Sequence, residues 1–240
     1  MNKIAIILSG VPKFTHRSYE SIIQWFPSAD VFAHIWDTKS EYINRVTSFH
    51  PTTYTDIWDV PRILNSFNFT RYETEDFKDK NDFWQNNLIK EYKQIGVNLG
   101  NSHEGIEDFG TSIISMFYSL NQALKLKQQH EIENNFKYDA VIRMRYDSHV
   151  YNWNLQISNN TLYIPNSYDY AKDGINDQFC YGDSQVMDEA CSCYNSLDEI
   201  VRSTKIYNPE FCFAEHLRRC NIIPNRISRP SANDITVYIN

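Results

Sequence analysis

YDAVIRMRYD, residues 138–147, changes from apolar to charged along its length. The apolar residues 140–142 predict the start of a buried strand, and the charged side chains follow towards its carboxyl end. Because side chains alternate between the two faces of a strand, Arg143, Arg145 and Asp147 are expected on one side. The segment therefore predicts a central strand that brings two guanidinium groups and a carboxylate together.

A strand, a helix and a second strand are predicted N-terminal to this segment. Residues 3–8 are almost continuously apolar, which is typical of a strand covered on both faces. Apolar residues then recur at helical spacing until Pro27, and residues 29–36 form a second apolar run that stops at Asp37. Such a β-α-β start builds a parallel sheet, so we expect a single α/β domain over residues 1–240.

The remaining sequence predicts further elements around one stretch that is hard to assign. Residues 49–57 are a candidate third strand, and the polar residues 65–80 are interpreted as irregular. Short strands are expected over residues 161–165, 176–181 and 235–239. Helices are expected over residues 83–95, 109–129 and 186–201, and from Pro209 onward with Asn208 as its cap.

Composition limits the classes of partner. A formal net charge of −7 argues against broad attachment to nucleic acid or to an anionic membrane surface. The N-terminal apolar run is too short to span a membrane, so no transmembrane segment is expected. The five cysteines are odd in number and irregularly spaced, which favours reduced thiols in a cytoplasmic protein over a disulfide framework.

Three polar segments follow the predicted parallel strands: SGVPK at residues 9–13, Asp37, and the end of the 138–147 segment. Ligands of open α/β sheets bind beyond the carboxyl ends of the strands, so the three segments are expected to line one crevice. For residues 9–13, a plain Gly-Pro turn is the alternative interpretation.

Four cationic side chains are candidates for phosphate recognition: Lys13, Arg17, Arg143 and Arg145. Arginine matches phosphate oxygens with a planar fork, and lysine acts as a mobile point charge. Arg145 is expected to contact a ligand. Arg143 lies farther from the strand end and is predicted to be a buried partner of Asp139 or another carboxylate.

The acidic candidates lie on both sides of this crevice. Asp147 is a candidate ligand for Mg²⁺ or Mn²⁺, which prefer carboxylate oxygen. Asp177 precedes a predicted strand, where it is either a general base for an acceptor hydroxyl or a turn residue bonded to its own backbone. Glu215 and His216 are interpreted as a surface charge pair, and His34 as a packed histidine.

Four motifs in this order resemble small GT-A glycosyltransferases of the bacterial and viral lipopolysaccharide-synthesis type. They are SGVPK at residues 9–13, ADVFAHIWD at 29–37, the 138–147 segment, and NDQFCYG at 176–182. The resemblance spans most of the chain. It implies a Rossmann-like, mixed and mostly parallel sheet flanked by helices, with a nucleotide-binding part over residues 1–150 and an acceptor-side part over residues 151–240.

The resemblance also implies a function in polysaccharide biosynthesis. A nucleotide-sugar would be the donor, and a glycan or lipid-linked glycan the acceptor. Ser9, Gly10, Lys13 and Asp37 would contact the nucleotide, and Asp177 would lie on the acceptor side, where an inverting enzyme keeps its base.

The family's Asp-x-Asp motif, which binds the metal and diphosphate, is replaced here by RYD at residues 145–147. Arg145 takes the place of the first acid and can itself carry diphosphate charge, which weakens the expectation of a Mn²⁺ or Mg²⁺ cofactor. Two other functions are compatible with the pattern. One is a different nucleotide-dependent transferase, such as a sulfotransferase, and the other is a non-catalytic nucleotide- or glycan-binding module.

Overall fold

A seven-stranded mixed sheet forms the centre of the protein. The computed structural model describes residues 3–12, 15–37, 58–99, 109–150, 157–166, 169, 173–227 and 235–237. The sheet has the order β3-β2-β1-β4-β7-β6-β8. Its strands are β1 Ile4–Ser9, β2 Asp30–Asp37, β3 Arg71–Asp76, β4 Ala140–Arg145, β6 Tyr163–Pro165, β7 Cys180–Gly182 and β8 Asn225–Ile227.

The first four strands by position are all parallel, as the apolar runs at β1 and β2 predict. β7 then pairs antiparallel with β4 and with β6, and β8 pairs parallel with β6. The prediction of a mixed, mostly parallel, Rossmann-like α/β sheet is therefore confirmed. A separate two-stranded sheet pairs β5, Ser148–Val150, with the C-terminal strand β9, Ile235–Val237.

Helices cover both faces of the sheet. They are α1 Thr15–Trp25, α2 Val60–Ser66, α3 Phe77–Trp84, α4 Lys90–Gln94, α5 Phe109–Asn134, α6 Ser184–Ala190, α7 Tyr194–Thr204 and α8 Pro209–Arg219, with a π-helical turn at Gln85–Ile89 between α3 and α4. Apolar side chains of α1 and α2 pack on one face, and those of α3 to α8 pack on the other. Within the described part of the chain, no helix is long and apolar enough to cross a membrane.

The local sequence accounts for the helix boundaries around the second half of the sheet. Asp183 caps α6 by accepting from the backbone N–H groups of Gln185 and Val186. Asn208 caps α8 and Pro209 occupies its first turn, as expected from the sequence. Gly182 fits between β7 and α6 because a Cβ there would lie 2.7 Å from the carbonyl oxygen of Thr161.

Several predicted elements differ from the structure. β3 lies inside the polar stretch 65–80 that was interpreted as irregular. The helix expected over residues 83–95 begins earlier, with α3, and contains the π-helical turn, while the one expected over 186–201 is divided into α6 and α7. Much of the strand expected over 176–181 is a turn that leads into β7. The candidate strand at residues 49–57 lies outside the described residues.

A buried network of charged side chains anchors the amino end of β4, and we call it the α5 network. Lys127 on α5 lies 2.9 Å from Glu131 and 2.9 Å from Asp188, and neither Lys127 nor Glu131 is exposed. Glu131 also accepts from the hydroxyl of Ser184 at 2.6 Å, and Lys137 bridges Glu131 and Asp188. Every charge in this network has an opposite partner, which is the condition for burying charge at low cost.

Candidate functional site

The strand order places a crevice between the carboxyl ends of β1 and β4. The chain adds β2 and β3 on one side of β1 and returns to add β4 on the other, so β1 and β4 flank the topological switch point where ligands of such sheets bind. The sheet register pairs Ser9 with Arg145 at this point. Two of the predicted strand-end segments therefore meet.

Gly10 turns the chain away from the sheet directly after Ser9. Its φ of +106° is a conformation that side-chain-bearing residues rarely adopt. Its backbone N–H donates to the hydroxyl oxygen of Ser119 on α5 at 2.8 Å, and this hydroxyl lies 3.0 Å from Nδ1 of His34. His34 is fully buried, as expected, and burial lowers its pKa to about 3, so it is a neutral part of this packing.

Arg145 and Asp147 form a bidentate ion pair in the crevice. Nε of Arg145 donates to Oδ1 of Asp147 at 2.9 Å, and Nη2 donates to Oδ2 at 2.7 Å. Asp147 is buried, whereas 22% of the Arg145 side chain is exposed. The pair fixes the orientation of a guanidinium group whose outer edge still meets solvent.

The same pair bears on the candidate metal site. Both oxygens of Asp147, the expected cation ligand, accept hydrogen bonds from a positively charged group. Among the described residues, no group of three or more His, Cys, Asp or Glu side chains is arranged to hold a metal ion. Asp147 is therefore engaged by a cationic side chain, and within the described residues no set of further acids, histidines or cysteines joins it to hold a metal ion.

Asp177 is buried on the β7 side of the same strand end. Burial raises the pKa of its carboxyl group, while the charges of Arg143 and Arg145 act in the opposite direction. The turn that carries Asp177 is closed by Asn176, whose side-chain oxygen accepts from the backbone N–H of Gln178 at 2.8 Å. Asp177 also interacts with its own backbone amide, and its carboxyl group lies close enough to the two arginines to feel both charges.

Arg143 is buried, as predicted, but the predicted carboxylate partner is wrong. Asp139 accepts from the backbone N–H of Lys3 instead. No carboxylate of the described residues lies within 4.0 Å of the Arg143 guanidinium, and none of its three nitrogens makes a well-aligned hydrogen bond; its polar neighbour is the thiol of Cys180, whose pKa the arginine helps to lower. Its carbon Cζ lies 5.8 Å from the centre of the Phe213 ring on α8.

Sequence reasoning missed two polar residues next to Asp177. The side-chain oxygen Oε1 of Gln178 and the carboxyl oxygen Oε2 of Glu210 are buried without a hydrogen-bond partner. Burial raises the pKa of Glu210, and the neighbouring Asp177 adds to this effect. We call Arg143, Asp177, Gln178 and Glu210 the Asp177 cluster. The sequence did not indicate Glu210 as a site residue, because an acidic residue after Asn-Pro is typical of an ordinary helix start.

The other predicted site residues are more distant from this cluster, or differ from expectation. Asp37 ends β2 and is paired in register with Asp76 on β3, so it lies at the same sheet edge but away from β4. Arg17 lies in the first turn of α1, close enough to His149 on β5 for its charge to lower that residue's pKa, an effect second to burial. Lys13 lies outside the described residues.

Glu215 and His216 were expected as a surface pair, and this expectation is wrong. Both residues are largely buried on α8. Glu215 accepts from Arg218 and Arg219, and the two ring nitrogens of His216 are held by Ser196 and by the carbonyl of Glu189. These contacts assign both residues to the packing of α8 rather than to the crevice.

The fold and the crevice thus define an α/β protein with a polar site at its switch point. Residues 78–231 match a family described as a domain of unknown function, DUF7796. The match covers more than half of the chain, so the protein belongs to this family. No curated protein matches the chain. The description states no activity, and the function must be argued from the geometry of the site.

Proposed function

We propose that this protein is a glycosyltransferase that moves a sugar from a nucleotide-sugar donor to a hydroxyl group of a glycan or another acceptor. The observation that carries the proposal is the position of a buried carboxyl group, Asp177, beside the Arg145–Asp147 pair at the β1/β4 switch point. An anion-binding group and a candidate base therefore lie at one end of one strand.

The donor diphosphate would bind at Arg145. Asp147 holds the guanidinium group in place, and 22% of the Arg145 side chain is exposed, where it would meet phosphate oxygens. A chain of net charge −7 needs such a local cation to bind a polyphosphate. Ser9 and Gly10 would contact the nucleotide from β1, and Arg17 and Lys13 would add charge near the start of α1.

Asp177 would act as the general base. Its carboxylate accepts the proton of the acceptor hydroxyl as the acceptor oxygen bonds to the anomeric carbon. The bond from that carbon to the phosphate oxygen breaks, and the nucleoside diphosphate leaves with the electron pair. A buried carboxyl group with a raised pKa suits this role because a base works best when its pKa lies near the working pH.

Arg145 would supply positive charge to the leaving diphosphate. In a site where two acidic side chains bind a divalent cation, that cation would provide this positive charge. The geometry of Asp147 therefore favours a reaction in which added Mn²⁺ or Mg²⁺ is a minor contributor. Because both oxygens of Asp147 already accept from Arg145, we assign no step to a cation.

Thermal-shift and turnover measurements test the proposal. Nucleoside diphosphates should raise the unfolding temperature of the wild-type protein in Mn²⁺ and in a chelator, and Arg145→Met should abolish this shift. Arg71→Met is the matched control, because Arg71 lies at the amino end of β3 and pairs with Glu133. When the wild-type protein is then tested with a panel of nucleotide-sugars, it should slowly release the nucleoside diphosphate.

The outcomes separate the alternatives. Stabilisation by adenosine 3′,5′-bisphosphate, but not by nucleoside diphosphates, would support a sulfotransferase. Binding of nucleotide-sugars without any release of product would support a non-catalytic binding module. If no nucleotide or nucleotide-sugar stabilises the wild-type protein, the proposed function is wrong.

A further inference from the structure

Arg143 is among the largest fully buried side chains of the described residues. It lies in the middle of the sheet, where its register partner is Cys180 on β7, and its guanidinium group faces the Phe213 ring on α8. None of its three nitrogens makes a well-aligned hydrogen bond, and the thiol of Cys180 is the polar group closest to satisfying one. A guanidinium group carries five N–H donors, so this is an unusual concentration of unsatisfied polar groups.

Packing alone gives no reason for a charge at this position. Removing a charge from water is costly unless an opposite charge and hydrogen bonds compensate it, and an apolar side chain of similar size would avoid the cost. The α5 network meets this condition for Lys127, which touches two carboxylates. Arg143 has no contacting carboxylate: its polar neighbour is the buried thiol of Cys180, whose pKa it helps to lower, and its charge also reaches Asp177.

The surroundings contain two buried acids. Asp177 lies in the turn before β7, and Glu210 lies in the first turn of α8. The backbone N–H of Ile175 donates to the carbonyl of Glu210 at 3.2 Å and links the two segments. Two carboxyl groups in a shared buried setting disfavour each other's ionisation, which a nearby cation can offset.

The groups that face Asp177 come from each element packed around it. They are Arg143 and Arg145 on β4, Glu210 on α8, the thiol of Cys180 on β7 and the thiol of Cys193 in the turn between α6 and α7. Only the two arginines are cations. Arg145 is already engaged by Asp147, so Arg143 is the cation in this set without a contacting acid.

We propose that Arg143 is a positioning residue whose buried charge, acting through space, keeps Asp177 ionised beside Glu210. The relevance of this effect to catalysis rests on the proposed function, in which Asp177 accepts a proton. The electrostatic effect itself does not depend on that function and can be measured without any substrate.

The test is a carboxyl ¹³C NMR titration of protein labelled at aspartate, in which the signal that Asp177→Asn removes identifies Asp177. In Arg143→Met, the titration midpoint of Asp177 should move upward by roughly one pH unit or more, while Arg143→Lys should retain most of the wild-type midpoint. An unchanged midpoint in Arg143→Met would overturn the proposal.

A purely structural role for Arg143 would give a different result. Arg143→Met would then lower the unfolding temperature and leave the titration unchanged, whereas the proposal expects an unfolding temperature at least as high as in the wild type. Arg143→Gln is the second variant, because it also removes the charge and keeps a polar end. If both neutral variants fail to fold, Arg143 is a packing residue and the proposal is wrong.

The pH dependence of turnover separates this inference from the proposed function. If the wild-type protein hydrolyses a nucleotide-sugar, the acid limb of the rate profile should move to higher pH in Arg143→Met, with the plateau at high pH retained. If no donor is hydrolysed but the NMR midpoint moves, the electrostatic inference stands and the proposed function fails.

Discussion

The charged groups at the two ends of β4 differ in whether they have contacting partners of opposite charge. At the amino end, the α5 network places two cations and two carboxylates in mutual contact, with Glu131 also accepting from the backbone N–H of Tyr138 just before β4. At the carboxyl end, the Asp177 cluster contains an arginine, an amide and a carboxyl group whose buried polar atoms have no hydrogen-bond partner.

This difference indicates that the two ends of β4 have different roles. A network whose charges are all paired adds to the specificity of the fold and offers nothing to a ligand. Buried polar groups that lack partners cost stability, and proteins retain them mainly where they shift a pKa or meet a substrate. The carboxyl ends of the strands are also where ligands of this sheet type bind.

The largest expected effect concerns activity at the carboxyl end. Asp177→Asn should lower the rate of sugar transfer or nucleotide-sugar hydrolysis by about 10²–10⁴-fold, because the amide cannot accept the proton. The measurement is the rate of nucleoside diphosphate release with donor binding verified by thermal shift.

Asp173→Asn is the matched control for this variant. Asp173 lies four positions before Asp177, is exposed, and has a φ of +61°, which asparagine tolerates well. Its activity should equal that of the wild type. Equal rates for the Asp177 and Asp173 variants would remove the base from the proposed mechanism.

The next effect concerns stability at the amino end. Lys127→Met should lower the free energy of unfolding by about 3–5 kcal/mol, because it removes the buried cation that contacts Glu131 and Asp188 and leaves them only the largely exposed Lys137. Arg143→Met also removes a buried cation but should not lower the free energy of unfolding, since no carboxylate loses a contact and the cost of burying the charge is removed.

Urea unfolding followed by circular dichroism measures both variants under one condition. The comparison between the two ends of β4 depends on the difference between the two changes in the free energy of unfolding, rather than on either change alone. Similar losses of stability in Lys127→Met and Arg143→Met would show that the two buried cations have the same role.

The two buried acids predict opposite dependences of stability on pH. Burial, only partly offset by Arg143 and Arg145, raises the pKa of Asp177 above 3.8, so the folded state binds more protons and stability falls as the pH rises through that window. For Glu131, burial is outweighed by hydrogen bonds from Lys137, Ser184, Tyr138 and Lys127, and its pKa lies below 4.5. Its stabilisation is present above pH 4.5 and is lost as the pH falls through the folded value.

Asp177→Asn should therefore stabilise the protein near pH 7 and have little effect near pH 3. Glu131→Gln should destabilise it near pH 7 and less so in acid. Thermal unfolding of both variants and the wild type across this range is the measurement. A destabilised Asp177→Asn protein at pH 7 would contradict a raised pKa for the Asp177 carboxyl group.

The smallest effect links the cap of α6 to the α5 network. Asp183→Ala removes the side chain that accepts from the backbone N–H groups of Gln185 and Val186 in α6 and of Asn160, and loss of the cap should cost about 1 kcal/mol. Because α6 carries Ser184 and Asp188, the loss of stability should weaken the α5 network at the amino end of β4. The NMR titration midpoint of Asp177 should stay at its wild-type value, and a shift would show that the two ends are coupled.

Much of the fold could be predicted from local patterns. The continuously apolar β1 and β2 and the turn from apolar to charged residues in β4 indicated a parallel sheet with polar residues at its carboxyl edge. β3 was missed because its sequence, RYETED, is polar. It is an edge strand with mostly exposed side chains, so its pairing with β2, rather than its own hydrophobicity, makes it a strand.

The candidate site was predictable only in part. Strand alternation was expected to place Arg145 and Asp147 on one side, but β4 ends at Arg145 and Asp147 lies in the turn that follows; the two side chains meet there as an ion pair. Lys13 stays a prediction, and so do the roles of Ser9, Gly10, Arg17, Asp37 and Asp177 in binding or catalysis. The missing partner of Arg143 could not be read from the sequence, since Asp139 is a plausible partner by spacing alone.

The sequence by itself determined the parallel core, the cap at Asn208, and the presence of charged residues at the end of β4, because each depends on neighbours within a few residues. Only the tertiary structure brought Glu210 to Asp177 and left Arg143 without a contacting acid. Those relations join segments more than thirty residues apart, and the cost of burying a charge depends on the neighbours that the fold supplies.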